Sequence, residues 1–435
     1  MMNIAEHEVT GLDASFDEVI RGFPSHLIDA PDHPFLDPAF SLNPFPALAE
    51  LRDRAGAVVR RGEDGLYAGT DIFNVWGHDL TQPHFVALSY KAVHEIGTDF
   101  RRFVSDKAYG AQQEAQGVTV NCADGKEHSN MRGLLDSAAF GRKQMQQRMD
   151  TLIKPTISYL VDRVVELLER GEAVDACRDL SLPAAYKSIA TIIGVPQEKF
   201  SYFIELGEIV QSGPRDFEAA MRAIAEMDAF FADEFDKRSK DPKLDMLTAL
   251  QTAERNDFKM TKEQIVQHCR FLLPGGIETT WRAHANMVMC LMLHPDQYRA
   301  VATDNTLVDQ AVEETLRWAP SGFVVPRRCA GDTELEGTFI PEGSYICSIQ
   351  GIANRDPEVW SDPDAFDIFR DKHDHLTFHA GKHFCMGQLL ARGSIKELLS
   401  QLAEKLPTLQ LACPPEEIEM RGFGVRCPAG VPLKI

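Results

Sequence analysis

The chain has 435 residues, 44% hydrophobic and 25% charged, and its 45 basic against 65 acidic residues give a formal net charge of −20. That balance is ordinary for a folded globular protein and excludes disorder and coiled coil. The acidic surface, with no basic run, excludes nucleic acid and anionic membrane as partners. At about 150 residues per unit, length alone predicts roughly three domains.

Residues 1–17 carry Glu6, Glu8 and Asp13 and no lysine or arginine, so neither a signal nor a transit peptide is expected. Residues 1–30 read as a short acidic extension. The longest apolar stretch, 285–293, is about half of a membrane span, so no membrane anchor is expected. Nine cysteines are scattered singly without a Cys-x-x-Cys pair, which predicts reduced thiols and a cytoplasmic location. There is no repeat and no Gly/Ser linker. Helical periodicity dominates, and strand-like segments cluster at 57–71 and 333–349.

Residues 189–193, closed by Gly194-Val195-Pro196, read as a helix end. Residues 216–237 repeat Phe217, Met221, Ile224, Met227 and Phe230/Phe231 at helical spacing, a stripe expected to face the core. Thr261 and Gln264 form a capping-box signature for a helix over 261–293, about 50 Å long at ~1.5 Å per residue. Its middle is Pro274-Gly275-Gly276, followed by Glu278-Thr279-Thr280. Proline removes a backbone donor and glycines bare one face, so a local opening of this helix is expected. Taken alone, the segment fits either a simple kink or a flat ligand lying against Gly275 and Gly276, with Glu278 and Thr279 handling protons.

Cys385 sits just before an amphipathic helix through Leu389, Leu390, Ile395, Leu398, Leu399 and Leu402. A helix N-terminus favours a thiolate there, and Gly381 and Gly387 permit close backbone approach. The run Phe378-x-x-Gly381-x-His383-x-Cys385-x-Gly387 resembles the haem-thiolate loop of the cytochrome P-450 superfamily. One departure is His379, where that family usually has a second glycine.

The resemblance implies a fold that is mainly α with a small β region. It would be a triangular prism in one domain over 1–435, with haem b between a long central helix and the cysteine loop. It implies Cys385 as the axial iron ligand. His383 and the pair His128 and Arg132 would be donors to the haem carboxylates, as would Arg328. Gly275 and Gly276 would lie along the haem, with Glu278 and Thr279 delivering protons and Arg282 pairing with Glu278 four residues on. Glu314 and Arg317 resemble the family's buried structural pair. Its usual third partner is missing at Ala365, with Arg355 and Arg370 as the candidate replacements.

The implied activity is monooxygenation: one atom of O2 inserted into a small apolar substrate, by hydroxylation or by dealkylation through it. With no flavin, dinucleotide or iron–sulfur motif in the chain, electrons are expected from a separate ferredoxin and an NAD(P)H-dependent ferredoxin reductase. Arg142, Lys143 and Lys382 are candidate docking contacts on the acidic surface. The resemblance places pocket walls at 103–122, 200–217, 275–280, 323–325 and 421–425. Phe103, Phe323, Val324, Val325 and Phe423 are the expected apolar lining, and Lys107, Gln112, Gln113 and Gln116 make the first loop polar. Three other readings stay open. One is a zinc tract of His373, His375, His379, His383 and Cys385. Another is a haem sensor or electron carrier, and the last a peroxide-driven haem-thiolate enzyme that would not need Thr279.

Overall fold

A computed structural model describes residues 12–21, 23, 38–62, 78–110, 113, 117–211 and 216–435. Helices dominate these residues, and short strands form one five-stranded sheet and three smaller ladders. The expected mainly-α architecture with a small β region is observed. Most of the N-terminal extension lies outside the described residues. Its one described helix, α1 (Ala14–Arg21), buries Phe16 and Ile20 in the main apolar core.

The sheet contains β1 (Val58–Arg60), β2 (His84–Ala87), β3 (Phe103–Val104), β4 (Val324–Cys329) and β5 (Tyr345–Ile349) in the order β1-β2-β5-β4-β3. Only β2 and β5 run parallel, with His84 opposite Tyr345. The segment expected at 57–71 supplies β1, and its residues 63–71 lie outside the described set. The segment at 333–349 supplies β5 and the hairpin Thr333–Leu335/Thr338–Ile340. Sequence pattern missed β4 because Pro326 and two arginines interrupt its apolar alternation.

Eight further helices matter for the site. Helix α2 (Tyr90–Thr98) is capped by Ser89, and α3 (Gly125–Leu135) carries His128 and Arg132. Helix α4 (Leu182–Ile193) ends at Gly194 with φ +114°, the left-handed stop expected there. Next come α5 (Phe200–Gln211) and α6 (Phe217–Arg238). In α6, Ile224, Met227 and Phe231 are buried, but Phe217 is 58% exposed and Met221 is also exposed, so the apolar stripe runs out to the surface. Spacing marks a face but not where along the helix its neighbour ends.

Helix α7 (Lys262–Leu293) begins with the capping box in full. Thr261 Oγ1 accepts the Gln264 N–H at 3.2 Å, and Gln264 Oε1 accepts the Thr261 N–H at 3.0 Å. Contrary to the expected opening, α7 remains helical through Pro274, Gly275 and Gly276. Packing against α4 and α6 overrides the weak local propensity. The glycines open a face rather than the backbone. A Cβ at Gly275 would meet nothing within 4 Å, whereas one at Gly276 would come within 3.1 Å of Ile189 on α4. Helices α8 (Val308–Trp318) and α9 (Gln388–Lys405) pack against α7 and each other.

Candidate active site

Between α7 and the start of α9 lies a cavity of about 390 Å³ with mostly apolar walls. One wall is Gly275, Gly276, Thr279 and Thr280 of α7; the facing wall is the loop holding Cys385.

That loop is tightly built. The Cys385 N–H donates to the Phe378 carbonyl at 3.0 Å, and the Cys385 carbonyl accepts from Gln388 at 3.4 Å. Gly387, on the cavity wall, has no side chain to shield the sulfur, and a Cβ there would lie 3.9 Å from Sγ. Gly381 has a different role from the one expected. It does not border the cavity; its φ is +73°, and a Cβ would lie 2.0 Å from the Gly97 carbonyl of α2. Burial pushes the Cys385 thiol up. The backbone N–H groups of Gly387 and Gln388, with the charges of Arg132 and Arg392, pull the other way without overcoming it. The helix N-terminus alone thus does not make a thiolate here; a coordinated cation would.

Nitrogen donors converge on one side of the cavity. His128 and His383 face each other with ring centroids 4.2 Å apart, and His383 Nε2 lies 3.4 Å from Asp124 Oδ1. Burial, then the charges of His383 and Arg132, pushes the His128 imidazole down to about 4. Arg132 donates from Nη1 to the Phe384 carbonyl at 2.7 Å and from Nε to Asp136 at 3.2 Å. The expected Arg328 is corrected to Arg327. Arg327 lines the cavity and is 4% exposed, while Arg328 turns to the other face of β4, over the Tyr345 ring and onto the Gly343 carbonyl. The sequence could not choose between the two arginines, because Val324 and Val325 both border the cavity and the period of two from each points to a different one.

On α7, Thr279 borders the cavity and its hydroxyl donates to the Gly275 carbonyl at 3.0 Å. Glu278 does not border it. Its carboxylate accepts from Arg282 Nη2 at 2.7 Å and from Trp281 Nε1 at 3.3 Å.

The expected pocket lining is corrected in three places. Phe103 packs under the sheet, and Phe323 and Phe423 pack on each other at 5.1 Å in a satellite core; none borders the cavity. Val324 and Val325 do border it. No described residue of 200–217 does, and Gln112 and Gln116 lie outside the described residues. The cavity instead takes Tyr109 and Asn121, together with Ile189, Ile192 and Phe271. No sequence periodicity separates such wall residues from ordinary core.

Behind the loop, Glu314 and Arg317 form a buried two-point pair, each bond 2.7 Å. Arg370, not Arg355, fills the third place. It reaches Glu314 at 3.4 Å and the Ala365 carbonyl at 3.0 Å, whereas Arg355 binds Asp364 and the Trp318 carbonyl. The histidines of the supposed zinc tract diverge. His375 meets Glu313, His383 meets Asp124, and among the described residues no group of three His, Cys, Asp or Glu side chains is arranged to hold a metal ion.

Known proteins place this geometry. The family model described as Cytochrome P-450 matches residues 209–420. The nocardicin C N-oxygenase of Nocardia uniformis subsp. tsuyamanensis is 31% identical over 410 residues, covering 93% of this chain and 98% of that protein. This chain belongs to the cytochrome P-450 family. The vitamin D3 dihydroxylase of Streptomyces griseolus is 33% identical and covers 86% of the chain and 89% of its own length. Among solved structures, myxobacterial CYP267B1 in complex with myristic acid is similar at TM-score 0.80 and 27% identity, covering 92% of this chain and 98% of that one. The chain has the cytochrome P-450 fold and is an oxidoreductase of the monooxygenase class, with haem b as its prosthetic group. The donors fit that group. A haem brings two carboxylates inside, and the buried Arg327 is paired with no carboxylate of the described residues.

Proposed function

We propose that this chain holds haem b through Cys385 and inserts one atom of O2 into an apolar organic substrate, using electrons from a ferredoxin and its NAD(P)H-dependent reductase. The observation that carries this reading is the placement of Cys385 across one cavity from Gly275 and Thr279. When bound, the haem supplies the oxygen chemistry, and a thiolate ligand favours O–O cleavage. His128, Arg132, His383 and Arg327 bind its carboxylates. Gly275, with no side chain on the cavity wall, would leave room for the group beside α7. Thr279 holds a proton on Oγ1 at the cavity wall, and Glu278, released from Arg282, relays protons to it. The apolar walls exclude water around the reacting centre. The chain serves this site as a single domain, since one apolar cluster runs from Phe16 to Leu433.

The substrate is a small apolar molecule with one polar group, of the steroid, terpenoid or aromatic-acid kind. Support comes from the apolar walls, from Tyr109, Asn121 and Ser321 as the scattered polar contacts, and from relatives. One relative is named for vitamin D3, and a similar structure, CYP109E1, holds testosterone (TM-score 0.74, 26% identity). Exposed Arg142 and Lys143 near the cysteine face, with Lys382 over the Phe100 ring at 3.5 Å, receive the ferredoxin. No described helix is long and apolar enough to cross a membrane, and the cytoplasm is the proposed location.

The test is the carbon monoxide difference spectrum of the dithionite-reduced protein, followed by turnover. A strongly red-shifted Soret band and turnover driven by a ferredoxin system are expected. A band at the histidine-ligated position overturns ligation by Cys385. Turnover with peroxide alone, and none with a reductase, overturns the electron supply.

A further inference from the structure

His379 takes the left-handed backbone conformation, φ +61°, at a position where a glycine would adopt it without cost. For a residue with a Cβ this costs about 1–2 kcal/mol, and strain of that kind persists only where the surroundings impose it. The surroundings here are built for the ring. It is 7% exposed, and a Cβ at Gly97 would lie 2.6 Å from Nδ1 and 2.7 Å from Cε1, so only a glycine on α2 leaves room.

The hydrogen bonds define its tautomer. The Ala380 N–H donates to Nδ1 at 2.8 Å, while the Ala380 carbonyl is a more distant 3.3 Å from the same atom. The shorter bond requires an acceptor at Nδ1, so the ring hydrogen sits on Nε2. Burial, with the nearby charge of Arg327 next in weight, holds the imidazole well below its ordinary value and hence neutral. Nε2 is buried without a partner, and His379 borders the cavity with Arg327 and His383. A buried donor left unmade costs about 1–3 kcal/mol. Strain and an orphaned donor at one residue point to an acceptor that the protein itself does not provide.

We infer that the His379 Nε2–H is a further donor to a haem carboxylate, acting beside Arg327 to anchor the group and to offset its negative charge. This rests on the haem reading above. His379 and Arg327 border the same cavity, so the two donors would share one anion, and His379 is a positioning residue for the cofactor rather than a catalytic one.

The experiment compares the wild-type holoprotein with His379→Phe, which keeps the ring and the backbone demand but lacks the donor. His379→Gly, which suits the backbone at φ +61°, is the second variant. Two quantities are read: the rate of haem transfer to excess apomyoglobin and the midpoint potential of the iron. Loss of a charge-assisted hydrogen bond makes transfer about tenfold faster in both variants. It also moves the potential to more negative values, because a less compensated carboxylate favours the ferric state. A purely structural role for the ring would leave the potential of the glycine variant unmoved. Wild-type rates and potentials in both variants would mean that a buried water satisfies Nε2, and would overturn the assignment. Failure of the haem reading itself shows separately, as a wild-type protein without the red-shifted carbon monoxide band.

Discussion

Arg282 Nη2 lies 2.7 Å from Glu278 Oε2, and Nη1 of the same guanidinium lies 3.0 Å from the Cys427 sulfur. Both charged groups are on one face of α7, four residues apart, and the arginine is 3% exposed. The pair holds the acid away from the cavity while its neighbour Thr279 stays on the wall. A proton-delivering acid in this position must leave Arg282 to act.

Replacing Arg282 by glutamine is expected to free Glu278 and raise peroxide released per NAD(P)H consumed. Breaking a buried pair also costs about 3–5 kcal/mol of stability, read from denaturant unfolding. Unchanged coupling between electron use and product would rule out the tether. Thr279→Ala should uncouple without the stability loss, because its hydroxyl bonds only to the Gly275 carbonyl within its own helix.

Arg327→Ala should lose haem readily, and Arg328→Ala should retain it as the wild type does. The two arginines are adjacent but face opposite sides of β4. Haem content after gel filtration distinguishes them, and an inverted result would mean that β4 is shifted by one residue.

Glu314→Ala should destabilise the fold by about 3–5 kcal/mol, since it strands Arg317 in the core. Arg370→Ala should cost less, about 1–2 kcal/mol, because Arg317 still satisfies Glu314 at two points. Chemical unfolding midpoints measure both, and a larger loss for Arg370 than for Glu314 would reverse this hierarchy.

Gly381→Ala should abolish haem incorporation. The new methyl would sit 2.0 Å from the Gly97 carbonyl at φ +73°, where neither backbone can yield cheaply. Absorbance of the purified variant at the Soret band reads the outcome directly, and wild-type haem content would contradict the packing of this loop on α2.

Glu313 gives the fold an acid-sensitive point. Burial alone would raise its carboxyl, but hydrogen bonds from His375 and Arg392 bring it down to about 2 from an ordinary 4.5. A depressed carboxyl stabilises above the unfolded value and loses that contribution as pH falls through the folded one. Stability should therefore drop between pH 4.5 and 2, and Glu313→Gln should flatten that slope. Thermal melts across the window provide the measurement.

The helical character, the capped start of α7 and the cysteine loop were legible in the sequence because each depends on neighbours within a few residues. Thr261 and Gln264 answer each other three positions apart, and Gly194 stops a helix by its own backbone freedom. The spacing around Cys385 likewise records a local shape. Tertiary structure decided which side chains see the cavity. Phe103, Phe323 and Phe423 are as apolar as Val324 and Val325, and Arg328 is as charged as Arg327, yet strand facing and sheet packing divided them. Tertiary structure also selected Arg370 as the partner of Glu314, from a loop more than fifty residues away. It kept α7 helical across a proline that local rules expect to break it. Composition and short-range spacing specify which chemistry a residue can do; long-range packing sets its direction and surroundings, and so whether it does it.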